Sequence, residues 1–154
     1  MEPLAEETPP FTVPPPPALD ATEAEESAVA GQLTAGWSTV FWMGWLLIAT
    51  SFVAIWYSSR LIGLSTWWLG PDTEPRVILV NLFPLTAPLA LAVAGFRAGR
   101  WLPFWGMGGA VFVAGIAAFD ISDVPGYAAI EFGLAAAGLL LSVASLAGLF
   151  RAAK

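Results

Sequence analysis

The chain has 154 residues, of which 57% are hydrophobic and 12% are charged, and its mean hydropathy is +0.72. A soluble domain of this length could not bury so much apolar surface, so most of the chain is expected to lie in lipid. The formal net charge of −6 comes mainly from seven acidic residues among positions 1 to 36, and the nearly neutral remainder excludes a basic surface for nucleic acid.

The first predicted segment, residues 1 to 36, is an acidic, Pro-rich tail. It has too few bulky apolar residues to offset the entropy cost of ordering, so it is predicted to be disordered. The run "PPPP" at 14 to 17 is typical of polyproline II helix and could dock to a cytoplasmic partner. We favour a simple solvated tail over that docking role.

Four apolar segments follow the tail, and each is long enough, or nearly so, to cross a bilayer. Because backbone polar groups in lipid must be satisfied within the segment, these runs predict helices. None of them alternates polar with apolar residues, as the strands of a membrane barrel would. The predicted fold is therefore an all-α integral membrane protein, a bundle of four transmembrane helices at about 37–59, 77–96, 101–119 and 127–150.

The link between the first two spans, residues 60 to 76, contains an apolar patch too short to cross the membrane. Trp67 and Trp68 suit the headgroup region, so we predict a short interfacial element and favour it over a re-entrant loop. Six other tryptophans lie mostly near span ends and are predicted to be interfacial anchors: Trp37, Trp42, Trp45, Trp56, Trp101 and Trp105.

The placement of basic residues predicts the orientation of the bundle. With four spans, both termini and the link between the second and third spans lie on one side, and this side carries four of the six bases, Arg97, Arg100, Arg151 and Lys154. Cytoplasmic segments are enriched in Lys and Arg, so both termini are expected in the cytoplasm. We expect a multi-pass protein of the plasma (inner) membrane.

Glu131 is the most unusual residue of the fourth span. Centring a spanning window of about 20 residues on this segment puts Glu131 near its outer boundary, where burying a charge costs less than at mid-bilayer. In this topology Arg60, Arg76 and Asp120 lie at the same outer level. The four residues could form a ring of ion pairs or line a pocket for a cation or headgroup, and we favour structural pairing.

The second span contains Asn81, Pro84 and Pro88 within "NLFPLTAP". Each interior proline removes a backbone hydrogen bond and favours a kink. Broken helices line substrate sites in transporters, but prolines are also common in ordinary membrane helices. We favour the ordinary kink.

Small residues recur at a spacing of four, as in Gly95 and Gly99, Gly106 and Ala110, and Gly133 and Ala137. Such pairs allow close approach of helices within a bundle or between subunits. In a chain this rich in Ala and Gly the spacing is also common by chance.

No catalytic motif is present in the sequence. The chain has no Cys and no His, which excludes thiolate and imidazole metal sites and nucleophiles of those types. We therefore expect no enzyme activity, no metal and no cofactor. The favoured function is an accessory or interaction subunit of a membrane complex, acting through a membrane-protein partner or as a homo-oligomer. The alternative is a small oligomeric transporter or channel subunit that uses Glu131 and Asp120.

The orientation can be tested with a single introduced cysteine, because the natural chain has none. In Asp72→Cys the thiol is expected to react with an impermeant maleimide added to the outside of intact cells. Labelling only after the cells are permeabilised would contradict the predicted topology.

Overall fold

A computed structural model describes residues 32–71, 73–74 and 76–151 of the protein. All regular elements in these ranges are α-helices, and there are four: α1 (Ala35–Ile62), α2 (Ile78–Gly95), α3 (Leu102–Asp120) and α4 (Pro125–Arg151). They lie within a few residues of the predicted spans, and each is long and apolar enough to cross a membrane. The predicted all-α membrane fold is therefore confirmed. Of the tail predicted to be disordered, residues 1 to 36, positions 1 to 31 lie outside the described residues, whereas positions 32 to 36 are ordered and Ala35 begins α1.

The four helices form an up-and-down bundle in which each helix packs against two neighbours. α1 contacts α2 and α4, and α3 contacts α2 and α4, with the most extensive packing between α3 and α4. Short connections at 96–101 and 121–124 make consecutive helices antiparallel. The longer segment 63–77 joins α1 to α2 at the other end from the 96–101 connection, and we call this end the loop end.

Trp45 fills the centre of the bundle, across the diagonal between α1 and α3. Its side chain is 0% exposed, and its indole ring lies over Gly109 of α3 and Gly138 of α4. The absence of side chains at these two glycines provides the room for the ring. The prediction that Trp45 is an interfacial anchor was therefore wrong, because the two glycines make a notch for it in the core.

The end of the bundle opposite the loop end is closed by contacts between α1 and α2. The Ser38 hydroxyl donates to the carbonyl of Gly95 at 2.6 Å, and Trp42 stacks on Phe96 with ring centroids 4.9 Å apart. Just before α1, the Leu33 backbone N–H donates to the carbonyl of Ala98. These contacts place the start of the ordered bundle a few residues before the predicted first span.

The outer surface of the bundle is strongly apolar. Many large hydrophobic side chains are exposed along the helices, such as Leu47 at 67%, Leu79 at 76% and Val111 at 70%. In water this surface would drive aggregation, whereas in lipid it is the expected surface of a spanning helix. The protein is therefore a multi-pass membrane protein whose surrounding solvent is the lipid bilayer.

A matched pair of Gly→Ala variants tests the packing around Trp45. In Gly138→Ala the new methyl would lie 2.9 Å from the Trp45 ring, so we expect a loss of about 1–3 kcal/mol of stability from overpacking. Gly108→Ala places its methyl in open space and should leave stability unchanged or slightly raised. Thermal unfolding in detergent would measure both. Equal melting temperatures for the two variants would contradict the central position of Trp45.

Candidate functional site

Asp120 is the last residue of α3 and is 0% exposed. It continues the buried face of this helix, three and four residues after Ala117 and Ile116. Its Oδ1 atom accepts a hydrogen bond of 2.9 Å from the backbone N–H of Trp67. The helical period therefore directs this carboxyl into the bundle, where the loop supplies a donor.

Glu131 lies on the buried face of α4 and is also 0% exposed. Tyr127, Ala128 and Ala135 flank it on the same face at helical spacing. The Glu131 Oε1 atom accepts a long hydrogen bond of 3.4 Å from the indole Nε1–H of Trp68. A boundary residue that reached up to the headgroups would be exposed, so full burial shows that Glu131 points into the protein.

The structure brings the two carboxyl groups of Asp120 and Glu131 into direct interaction. Each group uses one oxygen for a tryptophan N–H. The other oxygen of each, Oδ2 of Asp120 and Oε2 of Glu131, is buried and finds no donor within the described chain. Two unpartnered acceptors in directly interacting carboxyl groups are costly unless a positive charge or a proton joins them.

The segment that covers the carboxyls is residues 64–70, which we call the tryptophan loop. Its Thr66–Gly70 portion forms a single helical turn, because the N–H groups of Leu69 and Gly70 donate to the carbonyl of Thr66. Thr66, Trp68 and Leu69 are all at most 1% exposed. This segment was predicted to lie in the headgroup region. The Trp68 ring is buried in the bundle, so its N–H faces Glu131 rather than water.

The two tryptophans of the loop fasten it to different helices. Trp67 packs between Phe83 of α2 and Phe119 of α3, and its indole N–H donates to the carbonyl of Ile116. Trp68 meets the edge of Phe52 on α1, with ring centroids 6.3 Å apart, and bonds Glu131 on α4. The tryptophan loop therefore touches all four helices and closes the loop end.

The two arginines of the predicted cluster lie at the loop rather than at the carboxyls. The Arg60 guanidinium donates to the carbonyls of Leu69 and Gly70, at 3.3 and 3.4 Å. The Arg76 side chain is exposed, and its backbone N–H donates to the carbonyl of Leu69. The structure thus brings Asp120 and Glu131 together. Arg60 and Arg76 instead form hydrogen bonds with the loop that covers these carboxyls.

The predicted kink residues Asn81, Pro84 and Pro88 are the fourth, seventh and eleventh residues of α2, and all three are buried. α2 continues through both prolines to Gly95. The buried Asn81 Oδ1 atom has no donor among the described residues. These residues face the bundle rather than lipid.

Sequence reasoning did not single out Thr66, or the donor roles of Trp67 and Trp68. The adjacent tryptophans were visible, but their composition fits a membrane interface as well as a buried cap. Two carboxyls within the membrane need hydrogen-bond donors. That requirement is the signal that could have identified the tryptophan loop as their cover.

Comparisons with family models, with curated proteins and with solved structures find no match to this chain. The function is therefore argued from its own geometry.

Removing the indole donor tests the attachment of the loop. Trp68→Phe keeps a ring beside Phe52 but leaves the Glu131 carboxyl with one donor fewer, so we expect a loss of about 1–3 kcal/mol of stability. Trp105→Phe, at a residue 70% exposed on α3, is the matched control and should unfold like the natural protein. A Trp68→Phe melting temperature equal to that of the control would mean that the bond to Glu131 contributes nothing.

Proposed function

We propose that this protein is a small interaction subunit of a membrane complex, and that the outward face of α4 is the surface that packs against a helix of its partner. The observation that carries the proposal is a stripe of small residues along that face. Within the same proposal the protein is not an enzyme, and both of its termini lie in the cytoplasm.

The small-residue stripe of α4 runs almost the whole length of the helix. Its members lie three or four residues apart, except for the adjacent Ala136 and Ala137, and all are exposed: Gly126, Ala129, Gly133, Ala136, Ala137, Leu140, Ala144 and Ala147. Only Leu140 is large. A methyl added to Gly126 or Gly133 would meet no atom of the described chain within 4 Å. The backbone of α4 is therefore accessible from outside the bundle.

Helices associate in lipid mainly through close van der Waals packing, and small residues permit that closeness. The stripe contrasts with the outward face of α1, where Val40, Met43 and Leu47 present bulky side chains. On α4 itself the larger Phe132, Leu139 and Val143 lie to one side of the stripe. A partner helix would fit the stripe better than flexible lipid chains do.

The geometry gives less support to the transporter alternative. The carboxyls of Asp120 and Glu131 are covered by the tryptophan loop at one end. Below them, Phe52, Trp45 and Phe41 are at most 1% exposed and fill the described core with apolar rings. A transported ion would have to cross that apolar layer, and the cost of such a crossing favours the interaction role.

A matched pair of Ala→Leu variants tests the proposed interface. Ala137→Leu adds bulk to the stripe, so we expect association with the partner or with a second copy to weaken at least about tenfold, as loss of about 1.4 kcal/mol requires. Ala54→Leu adds the same bulk to the exposed face of α1 and should have no effect. Native electrophoresis of gently solubilised membranes measures the size of the complex.

The natural protein must first run well above its own mass of 16.2 kDa plus bound detergent and lipid. Migration as a monomer, or an Ala137→Leu complex of unchanged size and stability, would contradict the proposed interface. The copurified protein, if any, identifies the partner. A complex that contains this chain alone identifies a homo-oligomer.

A further inference from the structure

Besides Asn81 Oδ1 in the first turn of α2, three buried oxygen atoms at the loop end lack hydrogen-bond partners among the described residues. Two are carboxyl oxygens, Asp120 Oδ2 and Glu131 Oε2, and the third is the Thr66 hydroxyl. Thr66 is 1% exposed and immediately precedes Trp67, whose N–H bonds Asp120 at 2.9 Å. Covalent geometry therefore keeps the Thr66 hydroxyl within about 8 Å of the Asp120 carboxyl.

Such a concentration of unpaired acceptors is unusual in a folded protein, because a buried polar atom without a partner costs about 1–3 kcal/mol. The two carboxyls add charge to this cost, since they interact directly and neither touches water. Their neutral donors, the Trp67 backbone N–H and the Trp68 indole, cannot balance two negative charges. A bound monovalent cation would neutralise one of the two negative charges and fill the empty lone pairs.

We propose that Asp120 and Glu131 form a buried binding site for one small monovalent cation, covered by the tryptophan loop and completed by the Thr66 hydroxyl. A proton would join the two carboxyls as a hydrogen bond. An alkali ion of the size of Li⁺ or Na⁺ would bridge them by coordination. Both are hard cations, and the free ligands here are all oxygen atoms.

The number of unpartnered side-chain oxygens disfavours a calcium site. Calcium takes about six to eight oxygen ligands, and magnesium keeps several of its waters. The described part of the site offers three unpartnered oxygens, and its carboxyls are 0% exposed. A small singly charged ion therefore fits better than a divalent one.

The cation would enter past the tryptophan loop, because the core on the other side of the carboxyls is apolar. Among the charged residues of the described chain at this end, Arg60 binds loop carbonyls, whereas Glu74, Arg76 and Asp123 are exposed. On α4, Tyr127 shares a hydrogen bond of 2.8 Å with Ser58 of α1. The carboxyls of Asp120 and Glu131 are therefore the charged groups that would bind the cation inside the bundle.

The test uses the full chain in lipid nanodiscs, with two readouts. The melting temperature is followed during titration with LiCl, NaCl and KCl at constant ionic strength, with choline chloride as the balancing salt. The infrared spectrum is recorded across a pH series, because a protonated carboxyl has a carbonyl stretch that a carboxylate lacks. Asp120→Asn and Glu131→Gln are the near-isosteric variants that remove one charge each.

We expect one of two positive results. A metal ion raises the melting temperature of the natural protein, the effect disappears in both variants, and Thr66→Val weakens binding about tenfold because one ligand is lost. Alternatively, metal ions have no effect and the infrared spectrum shows a protonated carboxyl that either variant removes or shifts. The first result identifies the cation as an alkali ion, and the second identifies it as a proton.

The proposal is overturned if the natural protein responds to none of the three salts and its infrared spectrum at neutral pH, where exposed carboxyls are ionised, contains no protonated-carboxyl band. That result is obtained on the natural chain alone, so it does not depend on the folding of any variant. The interface on α4 is tested separately by Ala137→Leu, so failure of the cation site and failure of the interface are distinguishable.

Discussion

The burial of two carboxyl groups beneath a tryptophan loop is the constraint on which the loop end of this bundle depends. Asp120 and Glu131 are fully buried, and each needs N–H donors that no neighbouring helix backbone can spare. The donors come from Trp67 and Trp68, which are adjacent in sequence but reach different helices. The hydrogen bonds to the two carboxyls therefore hold the loop in place, and the loop in turn shields the carboxyls from solvent.

The carboxyl pair lies where α3 ends and α4 begins. Their connection, residues 121–124, is short, so Asp120 at the end of α3 lies close to the first turns of α4. The Val124 backbone N–H donates to the Asp120 carbonyl, which fixes the turn between the helices. The same residue thus supplies its side chain to the site and its backbone to the turn, consistent with the extensive packing of these two helices.

The sequence predicted the helices well and the site only partly. Spans follow from hydropathy because lipid forces long apolar segments into helices, and that constraint acts on each segment alone. It does not tell a tryptophan at the membrane surface from one in the core. Trp42 and Trp45 belong to the same span, yet Trp45 is buried because Gly109 and Gly138 make room for it. That information lies in other helices, so it appears only with the tertiary structure.

The same limit applies to Glu131. Its height along the helix could be deduced from the length of the span, and sequence alone placed it level with Asp120, with which it interacts. Its partners could not be deduced, because charge arithmetic favours arginines as partners of carboxylates. In the structure the hydrogen-bond donors are instead a backbone N–H and an indole N–H. Which neutral donor a loop presents depends on the path of its backbone, and no periodicity in the sequence encodes that path.

α4 finally combines two opposite faces within one turn. Glu131 points into the bundle, whereas Gly133, two residues later, faces outward with open space beyond it. A helix that packs tightly against a partner through Gly133 cannot rotate or shift without moving Glu131 relative to Asp120. Cation binding at the carboxyl pair and partner binding along the small-residue stripe would therefore both act on α4, which moves as one rigid element. If the partner binds the cation-bound form more tightly than the cation-free form, partner binding would strengthen cation binding. By thermodynamic linkage, cation binding would then strengthen partner binding by the same free energy.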